Sequence, residues 1–204
     1  MTISFDNKVV IVTGAGGGLG RSHAIEFARR GAKVVVNDLG GEVDGSGSSS
    51  EAANKVVKEI TDLGGVAIPN GASVTDDAGV KHMIDQTIEE FGRIDILVNN
   101  AGILRDKSFS KMEMEDFTKV TDVHLIGSVK PTKQVWDIMK DQNYGRIIVT
   151  TSSTGLYGNF GQANYGAAKL ALVGFVNTLK LEGQKYNINC AQRLLLPERT
   201  FLGD

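Results

Sequence analysis

Apolar residues along this chain fall into two alternating rhythms: short β-branched runs, and longer stretches where they recur every three or four positions. Val9-Val10-Ile11-Val12 is a continuous apolar run of the kind found in a strand buried on both faces. Residues 18 to 30 take up helical spacing, and Gly31 supplies the stop. Val34-Val35-Val36 reads as a second strand. The spacing then predicts a helix over 51–63 ended by Gly64-Gly65, a weak strand near 66–69, and a helix over 76–91 ended by Gly92. Ile94 to Val98 reads as a fourth strand, 113–141 as mostly helical, and Ile147 to Thr151 as a fifth strand. A long helix over 163–184 precedes a sixth strand starting from Asn187. Residues 39–50, rich in Gly and Ser with two acids, break the pattern and read as a mobile, solvated loop. This alternation implies an α/β fold: one domain built on a Rossmann-type, doubly wound parallel sheet with ligands at the carboxyl ends of its strands. There is no internal repeat.

Composition narrows the classes without choosing one. With 204 residues the chain is long enough for a sizeable core. Its 22 basic and 24 acidic residues balance to a net charge of −2, with no cationic run, which argues against a nucleic-acid partner. A single cysteine, Cys190, permits no intrachain disulfide, and it implies no metal cluster with the scattered His23, His82 and His124. Met1 to Phe5 lacks the basic-then-apolar plan of a secretory signal, and no apolar stretch is long enough to span a bilayer. Leu202-Gly203-Asp204 is not a Ser-Lys-Leu peroxisomal address. The expectation is a soluble, intracellular protein with no membrane partner.

Chemistry enters at the turn Thr13-Gly14-Ala15-Gly16-Gly17-Gly18-Leu19-Gly20. Alone, a glycine-rich segment is a flexible turn. Placed between a buried strand and a helix, it becomes a pyrophosphate cradle: glycines let the backbone approach, and the helix N-terminus offers free N–H groups. Asp38 ends the second strand eighteen residues past Gly20, where an acid receives the adenosine ribose hydroxyls. Asp38 could instead start the turn into Leu39-Gly40-Gly41. As a ribose ligand it would repel a 2′-phosphate, which predicts NAD(H) over NADP(H). Asn99-Asn100-Ala101-Gly102 follows the fourth strand, with small residues that permit close approach to the cofactor.

Tyr165 and Lys169 stand four apart on the long helix and so share a face, and Ser152 ends the fifth strand thirteen residues before Tyr165. A free phenol ionises near a pH of about 10, and a neighbouring ammonium favours the phenolate. The expectation is that Lys169 lowers the pKa of Tyr165, which exchanges a proton with a carbinol whose oxygen Ser152 holds. Taken singly, these residues are a surface pair and strand-end polars; the spacing joins them. His124, in a helical stretch, reads equally as a satisfied buried histidine or as a catalytic group.

Up to about Cys190, these residues resemble the short-chain dehydrogenase/reductase superfamily. Within it the match is to the (3R)-hydroxyacyl-CoA dehydrogenase domains of type 2 peroxisomal multifunctional enzymes. The narrower likeness rests on Val34 to Gly41 (VVVNDLGG), Asn99 to Phe109 (NNAGILRDKSF) and Tyr157 to Tyr165 (YGNFGQANY). It divides the chain into an NAD-binding domain, residues 1–190, and a divergent tail, 191–204. The resemblance implies oxidation of a (3R)-3-hydroxyacyl-CoA to a 3-ketoacyl-CoA with NAD+ in fatty-acid β-oxidation. It also implies a homodimer through helices like those at 122–141 and 163–184, a peroxisomal location, and often a fused enoyl-CoA hydratase. Ser152, Tyr165 and Lys169 would be catalytic. Gly14, Gly18, Leu19, Gly20, Asp38, Ser73, Val74 and Asn100 would contact NAD, together with Tyr165 and Lys169. His124 stands where the superfamily carries a catalytic Asn.

Three departures stand out. Ala72 replaces an Asp that relatives place beside the adenine, and Pro131 falls inside a predicted helix, which it should kink at a cost of ~3 kcal/mol. After Cys190, Ala191 to Arg199 replaces the strand end and nicotinamide-packing segment of relatives, so the far edge of the sheet is expected to lack its last strand and helix. Codons ATT-GCT-CCT for Ile-Ala-Pro, read one frame off, give the Arg-Leu-Leu-Leu of Arg193 to Leu196, which suggests a reading-frame change; a natural short form is the competing account. Leu194-Leu195-Leu196 would then be a makeshift strand or an exposed apolar patch. Two other functions remain open: an inactive nucleotide-binding or dimerising fragment, and a reductase of acyl-carrier-protein thioesters or steroids, which Asp38 disfavours.

Overall fold

Strand residues that alternate in sequence alternate between two hydrophobic layers. Val10, Val12, Val34, Val36, Ile96 and Val98 point to one side, where they pack on Ala24, Ala28, Val56 and Ile60. Ile11, Val35, Leu97, Ile147 and Ile188 point to the other, against Met83, Val135, Met139, Leu172 and Val176. Both layers require a sheet with helices on each face. The computed structural model, which describes residues 3–49 and 51–195, shows it. The strands are β1 Val9–Thr13, β2 Lys33–Asn37, β3 Val66–Asn70, β4 Ile96–Asn99, β5 Gly145–Ser152 and β6 Ile188–Leu195. They are all parallel, in the order β3-β2-β1-β4-β5-β6. The order reverses between β1 and β4, the switch point where such sheets open a crevice for ligands.

Helices α1 (Gly18–Arg29) and α2 (Glu51–Asp62) cover the first layer, and α3 (Asp77–Phe91) lies on the second. Asp76 caps α3 by accepting from the Gly79 N–H at 2.8 Å, and Gly92, at φ +76°, ends it. Each fully buried aliphatic side chain, such as Ile60 or Leu172, contributes about 1.5–3 kcal/mol. The fourth strand begins two residues later than its apolar pattern indicates. Asp95 is fully buried there, accepting from the Val9 N–H at 2.9 Å and from both Arg93 Nε and Nη2, so it belongs to a side-chain network ahead of the strand.

The helical stretch after β4 is not one helix. α4 (Met114–Thr121) passes through a wide π turn, Asp122–Ile126, into α5 (Gly127–Asp141). The Gly127 N–H reaches back five residues to the Asp122 carbonyl. Pro131 is the fifth residue of α5, and the helix runs through it. A short helix that apolar spacing does not signal, α6 (Ser153–Tyr157), follows β5 with Ser152 as its cap. α7 (Ala163–Gly183) buries Asn164, Ala168, Leu172 and Val176, an i, i+4 stripe, with Lys169 beside it.

Two expectations gain detail. Residues 39–49 are solvent-exposed, as expected, but tethered: the Val43 carbonyl accepts from the Leu104 N–H at 2.9 Å, and the Asp44 carbonyl accepts from Arg105 Nε at 2.9 Å. The loop lies across to the segment after β4. The sixth strand expected from Asn187 extends through the divergent residues: β6 pairs with all of β5, from Gly145↔Ile188 to Ser152↔Leu195. Leu194 and Leu195 extend this strand, Leu194 being 41 % exposed, while Leu196 lies outside the described residues.

Candidate cofactor and active site

A cleft of about 670 Å³ opens at the carboxyl ends of β1, β2, β4 and β5. Gly14, Gly18, Leu19, Asp38, Ser73, Val74, Asn100, Tyr165 and Lys169 all line it. Gly20 packs against the Gly14 carbonyl and Ser152 faces the Tyr165 side chain, each next to a residue of the wall. Gly14 sits at φ +62°, and a Cβ on Gly20 would overlap the Gly14 carbonyl oxygen, so the turn can close only with glycine at these places. Asn100 Nδ2 donates to the Thr13 and Gly14 carbonyls at 3.1 Å each, and Thr13 Oγ1 accepts from the Asn100 and Ala101 N–H groups. These bonds lock the loop after β4 to the glycine turn across the switch point. Thr13 was not singled out from the sequence, because a strand-end threonine carries no signal by itself.

Asp38 Oδ2 accepts from the Gly16 N–H at 2.7 Å and Oδ1 from the Gly40 N–H at 2.6 Å. The carboxylate therefore starts the following turn, one of its anticipated roles, and it also lines the cleft. On the adenosine side, Asn37 Nδ2 donates to Asn70 Oδ1 and to the Ala72 carbonyl, which fixes the Ala72–Val74 wall.

Tyr165, Lys169 and His124 converge at the other end. Lys169 is 3 % exposed and donates from Nζ to the Thr150 carbonyl at 2.6 Å. Burial lowers its pKa from the ordinary 10.5 to about 7. Burial also raises the Tyr165 phenol; the facing Ser152 hydroxyl works against this, and the charge of Asp106 adds to it. The direction differs from the expectation that Lys169 brings the phenol down: Nζ lies 5.3 Å from the Tyr165 ring centroid, and burial dominates the shift of both groups. His124 sits in the π turn, its ring 5.1 Å from that of Tyr165, edge to face. Burial first, then Lys169, hold its pKa at about 3, so it stays neutral. Nε2 meets the Ile103 backbone, with the Ile103 carbonyl at 2.9 Å. His124 is thus a buried, bonded histidine whose ring also braces Tyr165.

The site fits a dinucleotide. α1 begins with no acidic residue in its first turn and no side-chain cap, leaving its N–H groups for an anion. Thr150 Oγ1 and His124 Nδ1, both buried in the cleft walls, have no partner among the described residues. Leu195, from the divergent tail, lines the cleft beside Thr150; its strand pairing across from Ser152 could not be read from an unfamiliar segment. Among the described residues, no group of three or more His, Cys, Asp or Glu could hold a metal ion, and no helix is long and apolar enough to cross a membrane.

The short chain dehydrogenase family model matches residues 8–193. The chain belongs to this family. It is 57 % identical over 188 residues to the mouse peroxisomal multifunctional enzyme type 2, covering 92 % of this chain and 25 % of that one. Its fold matches the solved full-length peroxisomal multifunctional enzyme type 2 of Drosophila melanogaster, with a TM-score of 0.77 and 44 % identity, over 99 % of this chain and 32 % of that one. It also matches a 7α-hydroxysteroid dehydrogenase solved with NADH and 7-oxo glycochenodeoxycholic acid, with a TM-score of 0.85 and 32 % identity, over 93 % and 70 % of the two chains. The chain thus spans about a quarter of the length of the mouse relative. The family is one of dehydrogenases, and the solved hydroxysteroid dehydrogenase holds NADH.

Proposed function

We propose that this chain is an NAD-dependent dehydrogenase that oxidises (3R)-3-hydroxyacyl-CoA to 3-ketoacyl-CoA in fatty-acid β-oxidation. The observation that carries the reading is the meeting, in one cleft, of the Asp38 carboxylate at the adenosine end with Tyr165 and Lys169 at the other. The names of the mouse and fly relatives support a peroxisomal setting, the substrate class comes from the resemblance, and a hydratase domain elsewhere in the full-length protein is part of the same reading. A homodimer through α5 and α7 completes it.

A bound NAD+ supplies the hydride acceptor. Gly14, Gly18, Leu19 and Gly20 form the pyrophosphate turn, Asp38 receives the ribose hydroxyls, and Ser73, Val74 and Asn100 complete the walls. The Ser152 hydroxyl holds the substrate oxygen and Tyr165 Oη takes its proton. Lys169 Nζ, anchored on the Thr150 carbonyl, gains charge as the phenolate forms. His124, neutral, keeps the Tyr165 ring in place. The test is NAD+ reduction by this chain given (3R)-3-hydroxyacyl-CoA, run beside a cofactor titration. NADH formation is expected. Tight binding without turnover would leave a nucleotide cradle and defeat the dehydrogenase reading.

A further inference from the structure

The Gly/Ser-rich strap over residues 39–49 and one lysine of α4 form a wall of the cleft that the residues named so far leave unexplained. Glu42 to Ser46 make a tight turn: the Glu42 N–H donates to the Ser46 carbonyl at 2.7 Å, and the Gly45 N–H to the Glu42 carbonyl at 2.9 Å. Gly45 sits at φ +82°, and a Cβ there would stand 3.1 Å from the Ile103 side chain and 3.4 Å from Lys119 Cε. The half-buried stem of Lys119 therefore packs against bare backbone, and Val43, Gly45, Ile103, Leu104 and Lys119 all line the cleft. Its cationic neighbours are engaged: Arg105 and Lys107 bind the two oxygens of Asp116 at 3.1 and 2.7 Å. Lys119 Nζ has no ion-pair or hydrogen-bond partner among the described residues. Asp44 feels its charge only weakly. The Ser46 hydroxyl and N–H chiefly hold that carboxyl low against desolvation, with Arg105 and then Lys119 adding to them. The charged side chains along the cleft are Asp38, Glu42, Lys119 and Lys169. Asp38 accepts from the Gly16 and Gly40 N–H groups, and Lys169 donates to the Thr150 carbonyl. Lys119 is the cation left over, with three N–H donors to offer.

We infer that Lys119 is a phosphate-recognition residue, its free ammonium holding a phosphate group of a ligand against the strap wall. A half-buried ammonium without a counter-ion bears a desolvation cost that an anion in the cleft offsets, and lysine meets phosphate as a point charge. The methylene stem, packed at Gly45, carries the head to the cleft. Two ligands of the reading above present this chemistry, the dinucleotide and the CoA carrier of the acyl group. The inference rests on that reading and extends it to a residue of α4.

The test titrates the whole chain with NADH, adenosine and CoA, wild type against Lys119→Met and Lys119→Arg, each at low and high salt. Lys119→Met keeps a stem to pack on Gly45 and removes the charge. It is expected to weaken NADH or CoA about tenfold, to flatten the salt dependence of that ligand, and to leave adenosine unchanged. A loss for NADH assigns the contact to the pyrophosphate of the cofactor, and a loss for CoA alone assigns it to the carrier. Lys119→Arg is expected to restore most of the affinity. A loss that adenosine shares, or that Lys119→Arg fails to recover, would mean that Lys119 only packs against the strap. No loss for either phosphate ligand would make it a bystander, and each of these results overturns the inference. A wild-type chain that binds CoA but not NADH would bring down the cofactor reading and leave the inference to be decided on CoA; one that binds neither would bring down both.

Discussion

Lys169 gives the sharpest quantitative test, because its burial leaves a trace in folding stability. Its ammonium is 3 % exposed and is brought from 10.5 to about 7 in the folded chain. Between those values the unfolded chain holds the proton and the folded one has released it, so stability rises with pH. Below pH 7 the full cost of burying the charge is present. The slope approaches about 1.4 kcal/mol per pH unit once the folded lysine is neutral, and from pH 7 to 8.5 the rise is roughly 1.5 kcal/mol. With a urea slope of about 2 kcal/mol/M, the midpoint should move up by roughly 0.7 M over that window. Lys169→Met should unfold at higher urea than wild type at pH 7 and should lack the rise, so the two curves converge as pH increases. Other perturbed groups leave this window clear. His23 and His124, both lowered, add their contributions below the ordinary histidine pKa of 6.5. Cys190, pushed to about 11 by burial, acts only as the unfolded thiol ionises near 9. Wild type and variant moving in parallel from pH 7 to 8.5 would refute the account of a desolvated lysine.

Further predictions concern the walls of the cleft and the frame behind them. Asp38→Asn should cut the preference for NAD+ over NADP+ at least ~10-fold, read as a ratio of dissociation constants so that any loosening of the Gly16 and Gly40 contacts cancels. Gly20→Ala places a methyl against the Gly14 carbonyl and should abolish cofactor binding, checked by calorimetry on protein whose circular dichroism is unchanged. Asp95→Ala removes a fully buried carboxylate from Arg93, Lys8 and the Val9 N–H and should cost about 3–5 kcal/mol in urea unfolding.

Much of this was legible because its physics is local. The runs in β1 and β2 are buried on both faces and have no other use, so the chain announces them within a residue or so. The order of glycine turn, Asp38, Asn100, Ser152, Tyr165 and Lys169 maps onto strand ends because a wound sheet brings consecutive β–α junctions to one edge. What the sequence hid depends on partners distant along the chain. The 39–49 loop gains its shape from Leu104 and Arg105, some sixty residues away. The π turn around His124 has no compositional mark, since one extra residue in a helix alters no period visible over so few positions. The direction of the Tyr165 shift was misjudged because i, i+4 spacing reports proximity and not burial, and desolvation of both groups prevails. Strand β6, expected from Asn187, runs on past Cys190 through the unfamiliar segment, where the Ala191–Leu195 backbone pairs with β5; the length of that extension depends on β5 and not on the local sequence.

The account turns on Tyr165 Oη as the group that trades a proton with a carbinol while hydride leaves the same carbon. The direct measurement uses (3R)-3-hydroxyacyl-CoA deuterated at C3, NAD+ and this chain, with the label followed by mass spectrometry. Deuterium appearing on the reduced cofactor with wild type, and falling by about a hundredfold or more in Tyr165→Phe although ADP-ribose still binds, is the predicted result. Label transfer that persists in Tyr165→Phe at the wild-type rate would contradict it.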